Sequence, residues 1–468
     1  LDIKNMVNQS STTGTAYSLS PGTTAALRLF VTTGRGIEGL LLAEIAELVE
    51  DLKLPLSTAP REGVAGVSLE APFETMVALN MGLTTASRIT WTILEGYAPN
   101  AAVLQALVQK IAWEKIFDSK KTFKVEAHCK DGFTQNSMFL ALKVKDAIAD
   151  FFRNRDGVRP NVDTQNPDVT IMARLQGKKI TISLDTTGET LSNHGYRVAD
   201  GRAPLRENLA AAMVRATGWC ALARSLHNDC EPVFFERESS KENDNAKRKI
   251  ALKIPLVPIF ADPMCGTGTL GIEAALCLLN KKPNAKRGYF AFESMQCFKG
   301  KEFSTIRSEL SQTFSGRELS PEVILDKIKK YRENALRENI TIPESSTPII
   351  ASDIDVGAIS SARKNALAAG VNSLIDLGRC SFFEDTAPSN MGVLVMNPPY
   401  GERLEDEEAV VKLYGQVGDM LKHNYKGWMA WIISSNAAAL KNIGLRPTRK
   451  FSLFNGQLPC QYQQYILY

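Results

Sequence analysis

The stretch Asp262-Pro-Met-Cys-Gly-Thr-Gly-Thr-Leu-Gly-Ile-Glu-Ala-Ala275 decides how this chain folds. It begins at the end of an apolar run, VPIFADP (257–263), and leads into TLGIEAALCLLN (269–280), whose apolar residues recur at three and four. A strand, a tight glycine turn and a helix in that order start a parallel α/β sheet. Gly266 and Gly268 let the backbone come close to a ligand, and the start of the helix offers unpaired N–H groups. Taken alone, Gly266-Thr-Gly268-Thr-Leu-Gly271 also matches the dinucleotide fingerprint, which implies NAD. Glu293, closing GYFAFE, lies near the ~20-residue spacing at which such folds hold a ribose.

Two residues weigh against a dinucleotide. Asp262 would repel a pyrophosphate but suits the ammonium group of an amino acid. IIASDID supplies a better strand ending in acid: Asp353 is placed to accept both hydroxyls of a ribose, while Asp355 reads equally well as a helix N-cap. Further on, the apolar strand MGVLVMNPP (391–399) runs into Asn397-Pro398-Pro399-Tyr400. Prolines donate nothing to a ladder, so this pair stops the strand and leaves carbonyls free. The Asn397 amide oxygen and the Pro398 carbonyl can together accept the hydrogens of a planar exocyclic amine. Such an amine is a poor nucleophile because its lone pair is delocalised into the ring, and two acceptors help it pyramidalise. Tyr400 offers a face on which a base can stack.

Helices and strands alternate around these motifs from His194 to the end. Helices are expected at 206–219, 355–370 and 407–424, further strands at 373–379 and 427–435, and β-forming segments close the chain. Strands apolar along most of their length imply a parallel sheet covered on both faces. Two stretches interrupt it: 230–256, charged with both signs, and 292–340, mostly helical. Both read as insertions at the rim of this sheet. Upstream, residues 27–98 read as β-α-β-α-β, a small α+β layer structure. Residues 99–190 add a helix (101–116), a strand (122–130), a second helix (137–153) and two strands joined by a Gly-Lys turn. Residues 1–26, rich in Ser, Thr and Gly, read as a flexible leader without the apolar stretch of a secretory signal.

Composition bounds the function. At 468 residues, with 44% hydrophobic and 23% charged residues, the chain is globular and divides into two or three domains. No apolar run reaches the ~18 residues of a membrane span. A net charge of +4 neither demands nor opposes a nucleic-acid partner. The eight cysteines are scattered without a C-x-x-C pair, so a disulfide framework is not expected and a reducing interior is. Among the four histidines, His128-Cys129 forms the only close pair of metal-ligand types, and a strand position explains it without a metal.

DPMCGTGTLGIEAA, SDIDVGAISSARKNALAAGV and NPPYGERL together resemble the class I S-adenosylmethionine-dependent methyltransferases that modify exocyclic base amines. FVTTGRGIEGLLLAEI, SMFLALKVKDAIADFFR and HGYRVADGRAPLRENLAAAM extend the likeness to THUMP-domain RNA guanine-N2 methyltransferases, most closely those acting on bacterial large-subunit (23S) rRNA. This resemblance implies a Rossmann-like catalytic domain at 194–468, a THUMP domain at 99–190 and a ferredoxin-like subdomain at 27–98. It implies a cytoplasmic enzyme with S-adenosylmethionine as cofactor, RNA as partner (23S rRNA first, tRNA second), and neither metal nor membrane. Asp262, Pro263, Met264, Gly266, Gly268 and Thr269 would line the methionine moiety, and Asp353 and Ile354 the ribose side. Asn397, Pro398, Pro399 and Tyr400 would meet the target base. Where the family often has an acid for the adenine amine, this chain has Ser381 and then Phe382. That contact would fall to the Phe382 N–H, or shift to Glu384 or Asp385. Lys143, Arg153, Arg155 and Arg159, in a basic cluster, are candidates to touch RNA. The same tetrapeptide also permits adenine-N6 or cytosine-N4 chemistry, and a catalytically silent RNA-binding assembly protein is the rival from another class.

Overall fold

The computed structural model describes residues 14–17, 22–200, 205–228, 230, 233–239, 250–255, 258–337, 347–400 and 407–468. The chain forms two compact units. The first comprises residues 1–33, 42–191 and 286–312; the second comprises 34–41, 192–285 and 313–468.

The first unit is built on one sheet. Its elements are β1 (Gly14–Ala16), β2 (Leu27–Thr32), α1 (Glu38–Leu52), β3 (Arg61–Gly63), β4 (Gly66–Ala71), α2 (Phe73–Gly82) and β5 (Arg88–Tyr97). Then come α3 (Ala101–Gln109), β6 (Phe123–Lys130), α4 (Ser137–Asp156), β7 (Val169–Gln176) and β8 (Lys179–Asp185). The strand order is β3-β4-β2-β5-β8-β7-β6, and β1 pairs with the free end of β5. The segments 27–98 and 99–190 therefore share one sheet through the antiparallel β5–β8 pair. Burial alternates along β2 and β7: Leu29, Val31, Ile171, Ala173 and Leu175 face the core, whereas Arg28 and Arg174 face outward. Residues 14–16, expected within a flexible leader, are instead a strand.

The second unit opens with α5 (Glu207–Ala216) and α6 (Trp219–His227), separated where Gly218 takes φ +88°. The helix expected at 206–219 stops at Ala216, before the left-handed Gly218, and α6 is a second helix beyond the expected one. β9 (Val233–Ser239) and β10 (Ile250–Pro255) form an antiparallel pair inside the charged insertion. The main sheet uses β11 (Ile259–Asp262), β12 (Ile349–Asp353), β13 (Ile375–Arg379), β14 (Gly392–Met396), β15 (Met429–Ser434), β16 (Arg449–Asn455) and β17 (Leu458–Ile466). Between them lie α7 (Thr269–Leu279), α8 (Lys301–Gly316), α9 (Pro321–Arg337), α10 (Val356–Ala369), α11 (Glu407–Asn424) and α12 (Ala437–Asn442). Strand order is β13-β12-β11-β14-β15-β17-β16, parallel except for β17, which is antiparallel to both its neighbours.

Successive strand residues enter opposite cores. Phe260, Val393, Val395, Trp431 and Ile433 join a cluster with α5, α6, α7, α9 and α10, while Ile259, Ala261, Leu394, Met396, Ala430 and Ile432 join one with α11 and α12. Burial on both faces explains why these strands read as continuous apolar runs.

Three features add to or depart from what the sequence suggested. The helical insertion is not confined to the rim of the second sheet, because residues 286–312 belong to the first unit. There Phe292, Phe298 and Phe303 pack on Phe73 with ring centroids 5.6, 4.7 and 4.6 Å away. GYFAFE is no strand: Glu293 sits in a short 3-10 turn, ion-paired with Arg307 at 2.9 Å, which removes the ribose-holding acid of a dinucleotide fold. Cys220 and Cys277, 57 residues apart, are joined in a disulfide with Cα atoms 5.6 Å apart, because α6 packs beside α7. Six cysteines remain free, so one bridge is present rather than a framework.

Candidate active site

In a sheet of this order, the chain leaves β11 toward β12 on one side, while β14 lies on the other. The crevice at their carboxyl ends is the topological switch point, where α/β sheets bind ligands. Asp262 ends β11, and Asn397 follows β14 directly. Ala261 pairs with Leu394, so Asn397 lies two positions beyond the level of Asp262, roughly 7 Å along the strand direction.

Both residues carry orphaned polar atoms. The Asp262 carboxylate is fully buried, and neither of its oxygens has a hydrogen-bond partner. The N–H groups of Met264 and Gly271 lie near it and offset its desolvation only in part. Burial, reinforced by the charge of Asp353, holds the Asp262 carboxyl well above the ordinary carboxylate range. The buried Asn397 Oδ1 also lacks a donor. Buried polar groups are normally paired, so such orphans ask for a ligand or an ion. One site is a carboxyl that a cation would ionise, the other a neutral amide acceptor.

The turn between β11 and α7 is shaped for a close approach. Gly266 has φ +53° and open space where a side chain would project; Gly268 has φ +81° and would press a Cβ to 3.1 Å from Ala362. Gly268 caps α7 without a side-chain acceptor, so the helix begins with free N–H groups. Pro263, Cys265 and Thr269 are buried and Met264 half-buried. Burial, with Asp262 and Asp353 nearby, pushes the Cys265 thiol well up.

Asp353 ends β12 and accepts from the Gly266 N–H at 2.9 Å and the Asp355 N–H at 2.9 Å, tying the glycine turn to the neighbouring strand. A carboxylate has about four acceptor sites, so two remain. Asp355 is the N-cap of α10, accepting from Gly357 at 2.6 Å and Ala358 at 3.1 Å. Beside them Ile354 and Val356 are 65% and 60% exposed, an apolar lip with nothing yet upon it. Ser381 lies two residues past β13 and accepts from the Phe383 N–H at 3.4 Å. The Phe382 ring is core, packed on Tyr425 at 5.7 Å, so only its backbone is available to a ligand.

Tyr400 differs from the expectation of an open stacking face. It is 3% exposed within the apolar cluster, and its hydroxyl accepts from Asn455 Nδ2 at 3.1 Å. Pro398 is buried and Pro399 half-buried. Residues 401–404 of the NPPYGERL motif lie outside the described residues.

Sequence reading assigned no role to a clamp behind the glycine turn. Arg197 donates to Thr267 Oγ1 at 3.2 Å, to Thr269 Oγ1 at 3.3 Å and to the Leu205 carbonyl at 2.8 Å, and pairs with Glu207 at 2.9 Å. Asn365, on α10 and 1% exposed, accepts from the N–H groups of Val198 and Ala199 and donates to the carbonyls of Ala199 and Thr267. His194 and Tyr196 both reach Glu273 of α7 at 2.7 Å. The signal for Asn365 was an amide on the buried side of a helix, where it must have partners.

Lys143, Arg153 and Arg155 lie on α4 and Arg159 just beyond it. Arg153 and Arg159 both pair with Asp150, Arg155 pairs with Asp156, and Lys143 sits over the Phe139 ring. Among the described residues, no group of three or more His, Cys, Asp or Glu could hold a metal, and no helix is long and apolar enough to cross a membrane.

Comparison with known proteins bears on the fold of both units. Residues 258–464 match the family model of the RMKL-like methyltransferase domain, and residues 98–185 match the THUMP domain. The ribosomal RNA large subunit methyltransferase K/L of Shewanella frigidimarina is 32% identical over 439 residues, covering 94% of this chain and 52% of that protein. The chain thus spans about half the length of the curated relatives it matches. A structure solved in complex with SAH, and named as a methyltransferase, superposes with a TM-score of 0.70 at 23% identity, covering 95% of this chain and 98% of the other. A Listeria monocytogenes structure, named a predicted N6-adenine-specific DNA methylase, gives 0.71 at 24% identity over 95% and 97% of the two chains. The second unit has the class I methyltransferase fold, and the chain carries a THUMP domain at 98–185 ahead of an RMKL-like methyltransferase domain at 258–464.

Proposed function

We propose that this chain is an S-adenosylmethionine-dependent RNA methyltransferase acting on the exocyclic N2 of a guanine, with 23S rRNA as substrate. The observation that carries this reading is the pair of orphaned groups across the switch point, a buried carboxyl at Asp262 and a neutral amide acceptor at Asn397. A zwitterionic amino-acid cofactor and a planar amine satisfy them in turn.

When bound, the cofactor supplies an electrophilic methyl group on a sulfonium. Asp262 would hold its ammonium, and the backbone at Pro263, Met264, Gly266, Gly268 and Thr269 would line the methionine chain. The two spare acceptor positions of Asp353 would take the ribose hydroxyls, Ile354 would cover the adenine, and Ser381 with the Phe382 N–H would meet its edge. Asn397 Oδ1 and the Pro398 carbonyl hold the guanine amine, with Pro399 fixing the turn. Their work is positioning, bringing the nitrogen to within ~3–3.5 Å of the methyl carbon in line with sulfur. The amine nitrogen held by Asn397 and Pro398 would take the methyl group, and the N–H proton it gives up would leave to water. A guanine inside a helix cannot reach this crevice, so the nucleotide is flipped out. Tyr400 stacks on it only if its ring leaves the packing with Asn455.

The test offers the purified chain methyl-labelled cofactor with unmodified 23S rRNA and tRNA separately. Label entering 23S rRNA supports the reading; label entering only tRNA moves the same chemistry to another substrate. No label in either, with cofactor binding intact, favours the silent assembly protein.

A further inference from the structure

We infer that Asn455, at the tip of the β16–β17 hairpin, is a positioning residue for the target amine that acts through the Tyr400 hydroxyl; this rests on the reading of the crevice as a site for methyl transfer to a base amine. Two acceptors aimed at one nitrogen have to be held still, and the segment that carries them cannot hold itself. The ladder between β14 and β15 ends at the pair Met396 and Ile432. Pro398 and Pro399 have no N–H with which to extend it. The Asn397 Oδ1 has no donor to fix its plane. Where the Asn397 amide and the Pro398 carbonyl point is therefore set at the two ends of the segment, by Met396 in the sheet and by Tyr400 beyond the prolines.

The hairpin fastens Tyr400. β17 is antiparallel to both β15 and β16, so β16 runs in the same direction as β14 and ends at the same edge of the sheet. Ser434, the last residue of β15, pairs with Gln461, which also pairs with Ser452. Asn455 therefore stands three residues, roughly 10 Å, beyond the end of β15. A tight turn through Gly456, at φ +67°, closes the hairpin on the pair Asn455 and Leu458 and fixes where the Asn455 amide sits. Its Nδ2 donates to the Tyr400 hydroxyl at 3.1 Å. β16 lies three places from β14 in the sheet order, roughly 14 Å away, so this bond ties the segment after β14 to a strand with which β14 does not pair. The Tyr400 ring is 3% exposed, in the cluster that holds Leu453, Cys460 and Tyr462 of the same hairpin. A stacking platform needs the ring alone; an anchor needs the hydroxyl as well.

Tyr400→Phe and Asn455→Ala separate these roles, because the first keeps the ring and removes only the hydroxyl. The full chain is measured in two ways. Without cofactor or RNA, hydrogen exchange read by mass spectrometry should be roughly tenfold faster in both variants for the peptide carrying Asn397 and Tyr400, with β12 unchanged. Single-turnover methyl transfer from labelled S-adenosylmethionine to 23S rRNA should slow roughly tenfold in either variant and no further in the double variant, while affinity for S-adenosylhomocysteine stays within about twofold. Unchanged exchange, full activity in Tyr400→Phe, additive losses in the double variant, or S-adenosylhomocysteine affinity falling in step with the rate would each overturn the inference while the functional reading stands. A wild-type chain that exchanges as described but transfers no methyl group would remove the functional reading, and this inference with it.

Discussion

The two sheets of this protein obey opposite rules. In the second unit β11, β14 and β15 are buried at every position, with helices on both faces, so a ligand can meet the sheet only at its strand ends. In the first unit β2 and β7 alternate between buried and exposed residues, and one face stays open. The two orphaned groups of the candidate site follow the same division: Asp262 and Asn397 sit at strand ends of the second sheet. Chemistry that must exclude water belongs at the strand ends.

Substitutions at the strand ends should break this division most visibly. Replacing Asn397 by Ala should lower kcat for methyl transfer at least ~100-fold while cofactor affinity stays within about twofold, as expected when a preorganised contact to the reacting group is lost. Retained turnover within tenfold would remove the amine-acceptor role.

A smaller effect is expected one layer back. Asn365→Ala leaves the Val198 and Ala199 N–H groups and the Thr267 carbonyl without their partner, a loss of about 1–3 kcal/mol. If the clamp positions the glycine turn, KM for the cofactor should rise roughly tenfold with kcat nearly unchanged. A merely structural role would lower melting temperature and move neither constant selectively.

The orphaned carboxylate predicts a pH signature. Burial keeps Asp262 protonated above the ordinary carboxylate range, yet an ammonium requires it ionised, so cofactor binding should release a proton. Affinity should climb with pH, by up to about tenfold per unit, until Asp262 ionises in the free protein. The part of the ligand-free chain's stability that Asp262 contributes should run the other way, fully present below the ordinary carboxylate range and lost as pH rises through the raised value. Asp262→Asn should flatten both profiles, which titration calorimetry in two buffers and thermal melts would show.

The least effect is expected on α4. Arg153, Arg155 and Arg159 are occupied by acids beside them, and exposed pairs of this kind contribute about 0–1 kcal/mol. A Lys143→Ala/Arg155→Ala variant should bind RNA within about twofold of wild type. A large loss would place an RNA contact on this helix.

Legibility in the sequence follows the range of the interactions involved. The β11 turn, the Asp353 and Asn397 strand ends and nearly every element of the second sheet could be read, because local periodicity and turn chemistry specify them. The Asp355 cap was legible for the same reason. Long-range packing was not. Nothing near Tyr400 announces that Asn455, 55 residues on, bonds its hydroxyl within the core. Phe292, Phe298 and Phe303 read as ordinary helix and turn residues until Phe73 gives them a partner. Gly218 read as the penultimate residue of a helix, and its φ of +88° shows that one helix ends before it and another starts after it.

The identity of the methylated nucleoside tests the central assignment most directly. RNA treated with the chain and labelled S-adenosylmethionine, digested to nucleosides and resolved by mass spectrometry, should carry the label in N2-methylguanosine alone. Label in N6-methyladenosine or N4-methylcytidine would contradict it.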